Sequence, residues 1–249
     1  MLTLDDVLSP DWPAPAGIRA IFTTRAAGVS TAPYALLNLG LHVGDDVNAV
    51  KENRHKLRAL LPAEPVWLNQ VHGVAVAELA ARARGERAPI ADAAVTSLAK
   101  LPCTVLVADC LPILFCDRAG SRVGAAHAGW RGLAAGVIER TVEAMHTPPA
   151  ELMAWLGPAI GPSTFEVGAE VLEAFVATSP SSRAAFRSMP GKPGKYLADL
   201  YLLARQRLAQ SGVTAVHGGA FCTYLDPLRF FSYRRDGQTG RMAAVIWRE

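Results

Sequence analysis

The segment around residues 104–132 constrains the fold most. Residues 104–108 (TVLVA) are a continuous β-prone run that stops at Asp109 and Cys110. Pro112, which cannot donate to a sheet ladder, interrupts regular continuation. The apolar run resumes over residues 113–116, turns over 118–121, and gives another strand over 122–126 that leads to His127. The AGWRG turn then opens a helix in which Val137, Ile138, Thr141, Val142 and Met145 recur at helical spacing. Cys110 and His127 therefore stand where strands finish, a usual location for reactive groups in folds that mix helix and sheet.

The rest of the chain supplies further elements in no strict strand-helix-strand rhythm. Residues 18–24 (IRAIFTT) read as a strand, and Asp45 and Asp46 can cap a helix running to Leu61, with Val47, Val50, Leu57 and Leu60 on one side. Residues 66–70 read as a strand delivering His72, residues 74–79 as the next, and residues 80–90 as a polar surface loop. Residues 153–156 read as a strand, with helices expected over 168–178 and 197–210, the second after the turn-rich PGKPG. The C-terminal part reads as a hairpin, with strands over 230–234 and 242–247 joined by a turn through Asp236-Gly237. This mixture argues for an α+β fold. With no internal repeat and no long linker, one domain spanning residues 1–249 is expected.

Half of the residues are hydrophobic and the net charge is only +3, which gives a sizeable core and no electrostatic case for nucleic acid. The basic residues are 20 Arg and five Lys, and Arg suits phosphate and carboxylate through its planar donor fork. The N-terminal residues MLTLDDVLSPDW lack the pattern of a signal peptide. The longest apolar stretch, residues 103–116, carries Asp109 and Pro112 and is too short to span a bilayer. The expectation is a cytoplasmic protein with reduced thiols and no membrane partner, as monomer or homodimer.

His72, Cys110 and His127 are the candidate metal ligands. Imidazole nitrogen and thiolate sulfur suit zinc, and three protein ligands leave a fourth position for water or substrate. The intervals of 38 and 17 residues form no local knuckle, so packing roles stay open beside the shared metal. In HAGWRG, Arg131 and the helix start can hold an anion, while Trp130 serves equally as a core anchor. Asp109 can orient a ligand, bind a substrate hydroxyl or cap the Pro112 turn; Gln70 can share the face of His72 or satisfy backbone groups. Arg25, Arg241 and the pair Arg234-Arg235 lie near glycine-containing turns and can hold phosphate or stay solvated, and Asn38 stands in the LNLG segment beyond Arg25. His55 is expected to face solvent and Cys116 to be core, with His42, His217 and Cys222 open.

The motifs TTR…GVS…PY…LNLG…HVGDD, NQVHG, TSL…ADCLPIL, HAGWRG, WLGPAIGP…FEVG and SYRRDGQTGRMAAVIW together resemble the YfiH/laccase-domain family, in order and over nearly the whole chain. Members have been called polyphenol oxidases, peptidoglycan editing factors and purine nucleoside phosphorylases. The resemblance implies a single α/β/β/α sandwich and a zinc ion on His72, Cys110 and His127. It further implies phosphate-dependent cleavage of adenosine, inosine and methylthioadenosine, and deamination of adenosine. The chain departs from the family pattern at Ala27-Gly28, where a Gly-Gly pair is usual, and at Ser163, where many members have Cys.

Three rivals remain at this point. Copper can occupy the same trio, although multicopper oxidation requires a dense histidine set and this chain has six, none two apart. Cys110 can instead be a nucleophile, with His72 or His127 as base, acting on peptidoglycan precursors. A purely structural zinc would need a fourth ligand, for which Cys103, Cys116 and His42 are candidates.

Overall fold

The computed structural model describes residues 2–80 and 87–249. Strands β1 (Val7–Leu8) and β2 (Ile18–Thr23) precede helix α1 (Val47–Arg58). Then come β3 (Val76–Glu78), β4 (Ala93–Thr96), β5 (Cys103–Val107), β6 (Leu111–Asp117) and β7 (Val123–Ala128). Helices α2 (Trp130–Ala135) and α3 (Val137–Ala144) follow, broken at Gly136, whose φ of +104° suits glycine. The second half runs β8 (Leu152–Leu156), β9 (Glu166–Gly168), α4 (Ala169–Val176), β10 (Phe186–Ser188), β11 (Lys195–Ala198), α5 (Leu200–Gln210), β12 (Ala215–Gly218), α6 (Tyr233–Asp236) and β13 (Met242–Arg248).

Two sheets stack. One has the order β1-β2-β13-β5 and the other β12-β8-β6-β7-β4-β3, with a small β10-β11-β9 sheet beside them. Alternation along the strands divides the apolar residues between the two faces of each sheet. Phe22, Val105, Val107, Ala244 and Ile246 from the first sheet meet Leu114, Cys116, Ala125 and Trp155 from the second. The second sheet turns Ile113, Phe115, Ala126 and Ala154 outward onto α3, α4 and α5 through Ile138, Phe175 and Leu203. The first turns Ile21, Leu106 and Val245 outward onto Leu57 of α1. The layers are thus α/β/β/α, as the resemblance implies.

Several expectations need correction. The C-terminal hairpin does not form: residues 233–236 are helix α6, capped by Ser232 Oγ accepting from the Arg235 N–H at 3.2 Å. Phe230 and Phe231 are buried between the sheets, so this segment is held by packing and not by pairing with β13. Pro112 does not interrupt its strand; it is the second residue of β6, opposite His127 on β7. Leu197 and Ala198 belong to β11, and the helix expected from 197 starts at Leu200, where Asp199 accepts from the Leu202 N–H. Residues 66–70 make only isolated bridges, Val66 to Cys103 and Asn69 to Ile90. Of the loop expected over 80–90, residues 81–86 lie outside the described residues. Val47 is half exposed, and α1 instead buries Asn53, whose amide binds Ser30 Oγ and the carbonyls of Leu36 and Asn38.

Candidate active site

Cys110 lies where the chain leaves one sheet for the other. Strand β5 belongs to the first sheet and β6 to the second, so residues 108–110 must turn between them. Asp109 takes the turn at φ +81°, a conformation that Asp tolerates better than most side chains. Its carboxylate accepts from Thr223 Oγ1 at 2.5 Å and from the Arg234 N–H at 2.7 Å, and its carbonyl accepts from the Ile160 N–H. The Asp109 carboxylate therefore braces the turn against two distant segments.

His127 is buried on β7, and His72 is exposed in a turn at φ +60°. The rings meet edge to face with centroids 4.8 Å apart, and His72 Nε2 lies 3.8 Å from Cys110 Sγ. One candidate ligand atom from each of His72, Cys110 and His127 falls within 4.8 Å of the others, the one such group of three among the described residues. Zinc bonds of about 2.0–2.3 Å in a tetrahedron separate ligand atoms by roughly 3.3–3.8 Å, so this donor set fits zinc after a small contraction. Cys103 and Cys116 are buried between the sheets, and His42 lines the cleft without joining the cluster. A closed four-ligand site is therefore not assembled among the described residues.

Two glycines permit the approach. A β-carbon on Gly129 would sit 2.8 Å from Cys110 Sγ and 3.1 Å from the His72 ring. One on Gly132 would sit 2.8 Å from the Gly73 carbonyl oxygen. The glycines of HAGWRG thus let the start of α2 pack against the trio and the His72 turn.

Asp92 immediately precedes β4 and is fully buried. His127 Nδ1 lies 2.9 Å from its Oδ1, and the N–H groups of Val71, His72 and Gly73 all donate to its two oxygens. The sequence carries only a faint signal for it, a lone carboxylate in the apolar run 90–95. Burial pulls the Asp92 pKa up, but these hydrogen bonds bring it below the usual carboxylate value. Burial also opposes the Cys110 thiolate, yet the His127 charge and hydrogen bonds from both histidines hold the thiol well below its ordinary pKa. In return, burial would lower His127, and the Cys110 thiolate with Asp92 raises it.

The trio lines a cleft of about 580 Å³, a size suited to a small organic ligand. Gln70, Asp109, Arg131 and Arg241 line the same cleft, as do His42 and Arg234. Gln70 pairs its amide with both backbone groups of Leu106. Arg131 is exposed, stacked over Trp130 at 4.4 Å. Arg241 donates to the carbonyls of Thr239 and Gly240, and burial lowers its pKa. Arg25 and Asn38 fall outside the lining. Arg25 donates to the carbonyls of Ala35 and Pro227 and lies over Phe231. Asn38 is buried, bonding Gly40, Asp45 and the Arg241 N–H. Arg235 is engaged by the carbonyls of Thr223, Tyr224 and Phe230 and by Asp236. His55 faces solvent on α1, while Cys222 accepts from the Gly161 N–H.

The profile of the family described as multi-copper polyphenol oxidoreductase laccase matches residues 19–249. A protein of Pseudomonas aeruginosa named purine nucleoside phosphorylase is 57% identical over 241 residues, covering 96% of this chain and 97% of that protein. The Escherichia coli purine nucleoside phosphorylase YfiH is 52% identical over 246 residues, covering 98% and 99%. The chain belongs to the YfiH laccase-domain family. A crystal structure of a Neisseria meningitidis protein, 52% identical, superposes with a TM-score of 0.93 over 98% of this chain and 99% of that one. The YlmD structure from Geobacillus stearothermophilus, at 35% identity, gives 0.92 over 100% and 98%.

Where this YfiH-family chain departs from the family pattern, Ala27 adopts φ +63° and so retains a turn that glycine would make without strain. Gly28 is obligatory, since a β-carbon there would lie 2.2 Å from the Leu36 carbonyl oxygen. Ser163 is exposed and outside the trio's cleft. Among the described residues, no helix is long and apolar enough to cross a membrane.

Proposed function

We propose that this chain is a zinc-dependent purine nucleoside phosphorylase, acting as one domain, that cleaves adenosine, inosine and S-methyl-5'-thioadenosine with phosphate and also deaminates adenosine. The observation that carries this reading is the open three-ligand cluster at the floor of a nucleoside-sized cleft whose walls bring in Arg131, Arg234 and Arg241. The names of the relatives that match along nearly the full chain support it.

His72, Cys110 and His127 would hold the metal, which would supply Lewis acidity to the reaction. In phosphorolysis the bond from the purine to sugar C1′ breaks, a phosphate oxygen forms the new bond to C1′, and the base leaves with a proton. The residues have mostly to position and stabilise charge. Arg131 and Arg241 are assigned to the phosphate oxygens, and Arg234 lines the same cleft. Apolar side chains such as Val107, Ile160, Phe165 and Leu200 line the cleft and would exclude water from the base and sugar. In deamination, water supplies the oxygen that replaces the C6 amino group, and ammonia leaves.

A second reading has its own observation. Without metal, Cys110 and His127 favour a thiolate beside an imidazolium, the pairing that activates a cysteine nucleophile. In that case Cys110 would act on peptidoglycan precursors. Copper in the trio is the third, redox alternative.

Product analysis with metal-quantified protein separates them. Adenosine, inosine and methylthioadenosine should each give free base and the corresponding sugar 1-phosphate, only when phosphate is present, and adenosine should also release ammonia. Release of amines from a muropeptide precursor by metal-depleted protein, without nucleoside cleavage, would replace this reading with the hydrolase. Oxygen consumption with phenols by copper-loaded protein alone would replace it with the oxidase.

A further inference from the structure

We propose that Asp92 is the positioning residue of this site, one buried carboxylate that sets both histidines. The assignment rests on the metal reading for its affinity readout, and on hydrogen-bond geometry alone for its spectroscopic one. Asp92 Oδ1 accepts from His127 Nδ1 and from the His72 N–H, each at 2.9 Å. Oδ2 accepts from the Gly73 N–H at 2.7 Å and the Val71 N–H at 3.2 Å. An ionised carboxylate offers about four acceptor positions and no donor, so four converging donors match its capacity. That match is what lets a side chain with 0% exposure keep its charge.

Each hydrogen bond has a consequence at the trio. With its proton on Nδ1 toward Asp92, a neutral His127 would present the Nε2 lone pair to a metal ion. Three successive N–H groups folding around the carboxylate hold residues 71–73 in the turn that puts His72 at φ +60° and its ring beside Cys110. The main chain of Asp92 is pinned as well, since its carbonyl accepts from the His127 N–H at 2.7 Å and its own N–H donates to Ala75. Movement of this one residue would therefore move two ligands together.

Asp92→Asn keeps the shape while it removes the charge and replaces one acceptor by a donor. Whichever way the amide turns, its NH2 faces a donor. In place of Oδ2 it meets the Gly73 and Val71 N–H groups; in place of Oδ1 it meets the His72 N–H and His127 Nδ1, which would then have to accept and carry its proton on Nε2.

The test is zinc affinity by chelator competition on wild type and Asp92→Asn, measured well below unfolding and per folded molecule, together with the imidazole ¹⁵N spectrum of His127. Zinc should bind about 10–100-fold more weakly to the variant, and the His127 Nδ1 resonance should shift. Equal zinc affinity and an unchanged His127 spectrum would overturn the assignment. If wild type binds no zinc, the metal reading fails separately. The His127 spectrum of the metal-free proteins then decides, a shift upon Asp92→Asn supporting the assignment and none overturning it. Should the variant not fold, wild type suffices: a His127 ring lacking a proton on Nδ1 would overturn the assignment, and a slowly exchanging Nδ1–H would support it.

Discussion

At the floor of the cleft, His72, Cys110 and His127 are fixed by turns, glycine contacts and one shared carboxylate, whereas at its walls arginines reach in on long side chains. The floor is specified by backbone: Asp109 and His72 at positive φ, Gly129 against the sulfur, Asp92 beneath both histidines. The walls are specified by side chains, with Arg241 and Arg234 leaning on carbonyls and Arg131 stacked over Trp130. Rigid backbone suits ligands that a metal must find within tenths of an ångström. Long guanidinium side chains suit an anion that enters and leaves at every turnover. Disturbing the floor should thus cost much more than disturbing the walls.

The largest effect is expected from removing a ligand. Cys110→Ala and His127→Ala should each weaken zinc by more than the roughly 100-fold that outer partners control, as elemental analysis after dialysis would read. Full zinc retention in both variants would sink the trio.

Gly129→Ala should come next, since its β-carbon would lie 2.8 Å from Cys110 Sγ. Overpacking of this kind costs about 1–3 kcal/mol, visible in urea unfolding, and zinc should weaken with it. Unchanged stability and affinity would mean that the floor is softer than its contacts suggest.

A smaller effect concerns pH in the metal-free protein. The Cys110 pKa is depressed on folding, so the thiolate's contribution is present above the unfolded thiol pKa and lost as pH falls through the folded one. That of His127 is raised, so the imidazolium's contribution is present below the unfolded imidazole pKa and lost as pH rises through the folded one. The two contributions run in opposite directions with pH, so in chelator they should largely offset and leave the melting temperature nearly level between the unfolded imidazole and thiol values. Cys110→Ser should remove the rising part and unmask the imidazolium's decline as pH rises; a profile as level as the wild type's would contradict the pairing.

The smallest effect on the fold belongs to Arg131→Ala. Phosphate saturation should move up by about tenfold, the order of one charge-assisted hydrogen bond, with melting unchanged. Arg25→Ala should do the reverse, lowering stability through its lost carbonyl and Phe231 contacts while leaving phosphate saturation intact. If Arg25→Ala alone raised the phosphate requirement, the anion site would lie outside this cleft.

The same contrast explains what the sequence could disclose. His72, Cys110 and His127 were legible because His and Cys beside turn formers at strand ends are a local pattern, and the layer order came through the family motifs. Strands β9 to β12 have three or four residues each, too short to display an alternation. The expected terminal hairpin failed because Asp236-Gly237 ends a one-turn helix as readily as it turns a hairpin. Arg25 and Asn38 looked like Arg131 and Arg241 from the sequence. Their assignment depends on partners such as Pro227 and Arg241, some 200 residues away. Asp92 acquires meaning only when the turn 20 residues before it and the strand 35 residues after it close around one carboxylate.

The most direct test of the proposed zinc site is alkylation of Cys110 by iodoacetamide, followed by peptide mass spectrometry, in zinc-loaded and chelated protein. A sulfur engaged by zinc should be protected, exposed by the chelator and protected again when zinc returns, with nucleoside cleavage lost and restored in step. Rapid alkylation of Cys110 in fully zinc-loaded protein, with matching loss of turnover, would contradict the account and make this thiolate the nucleophile.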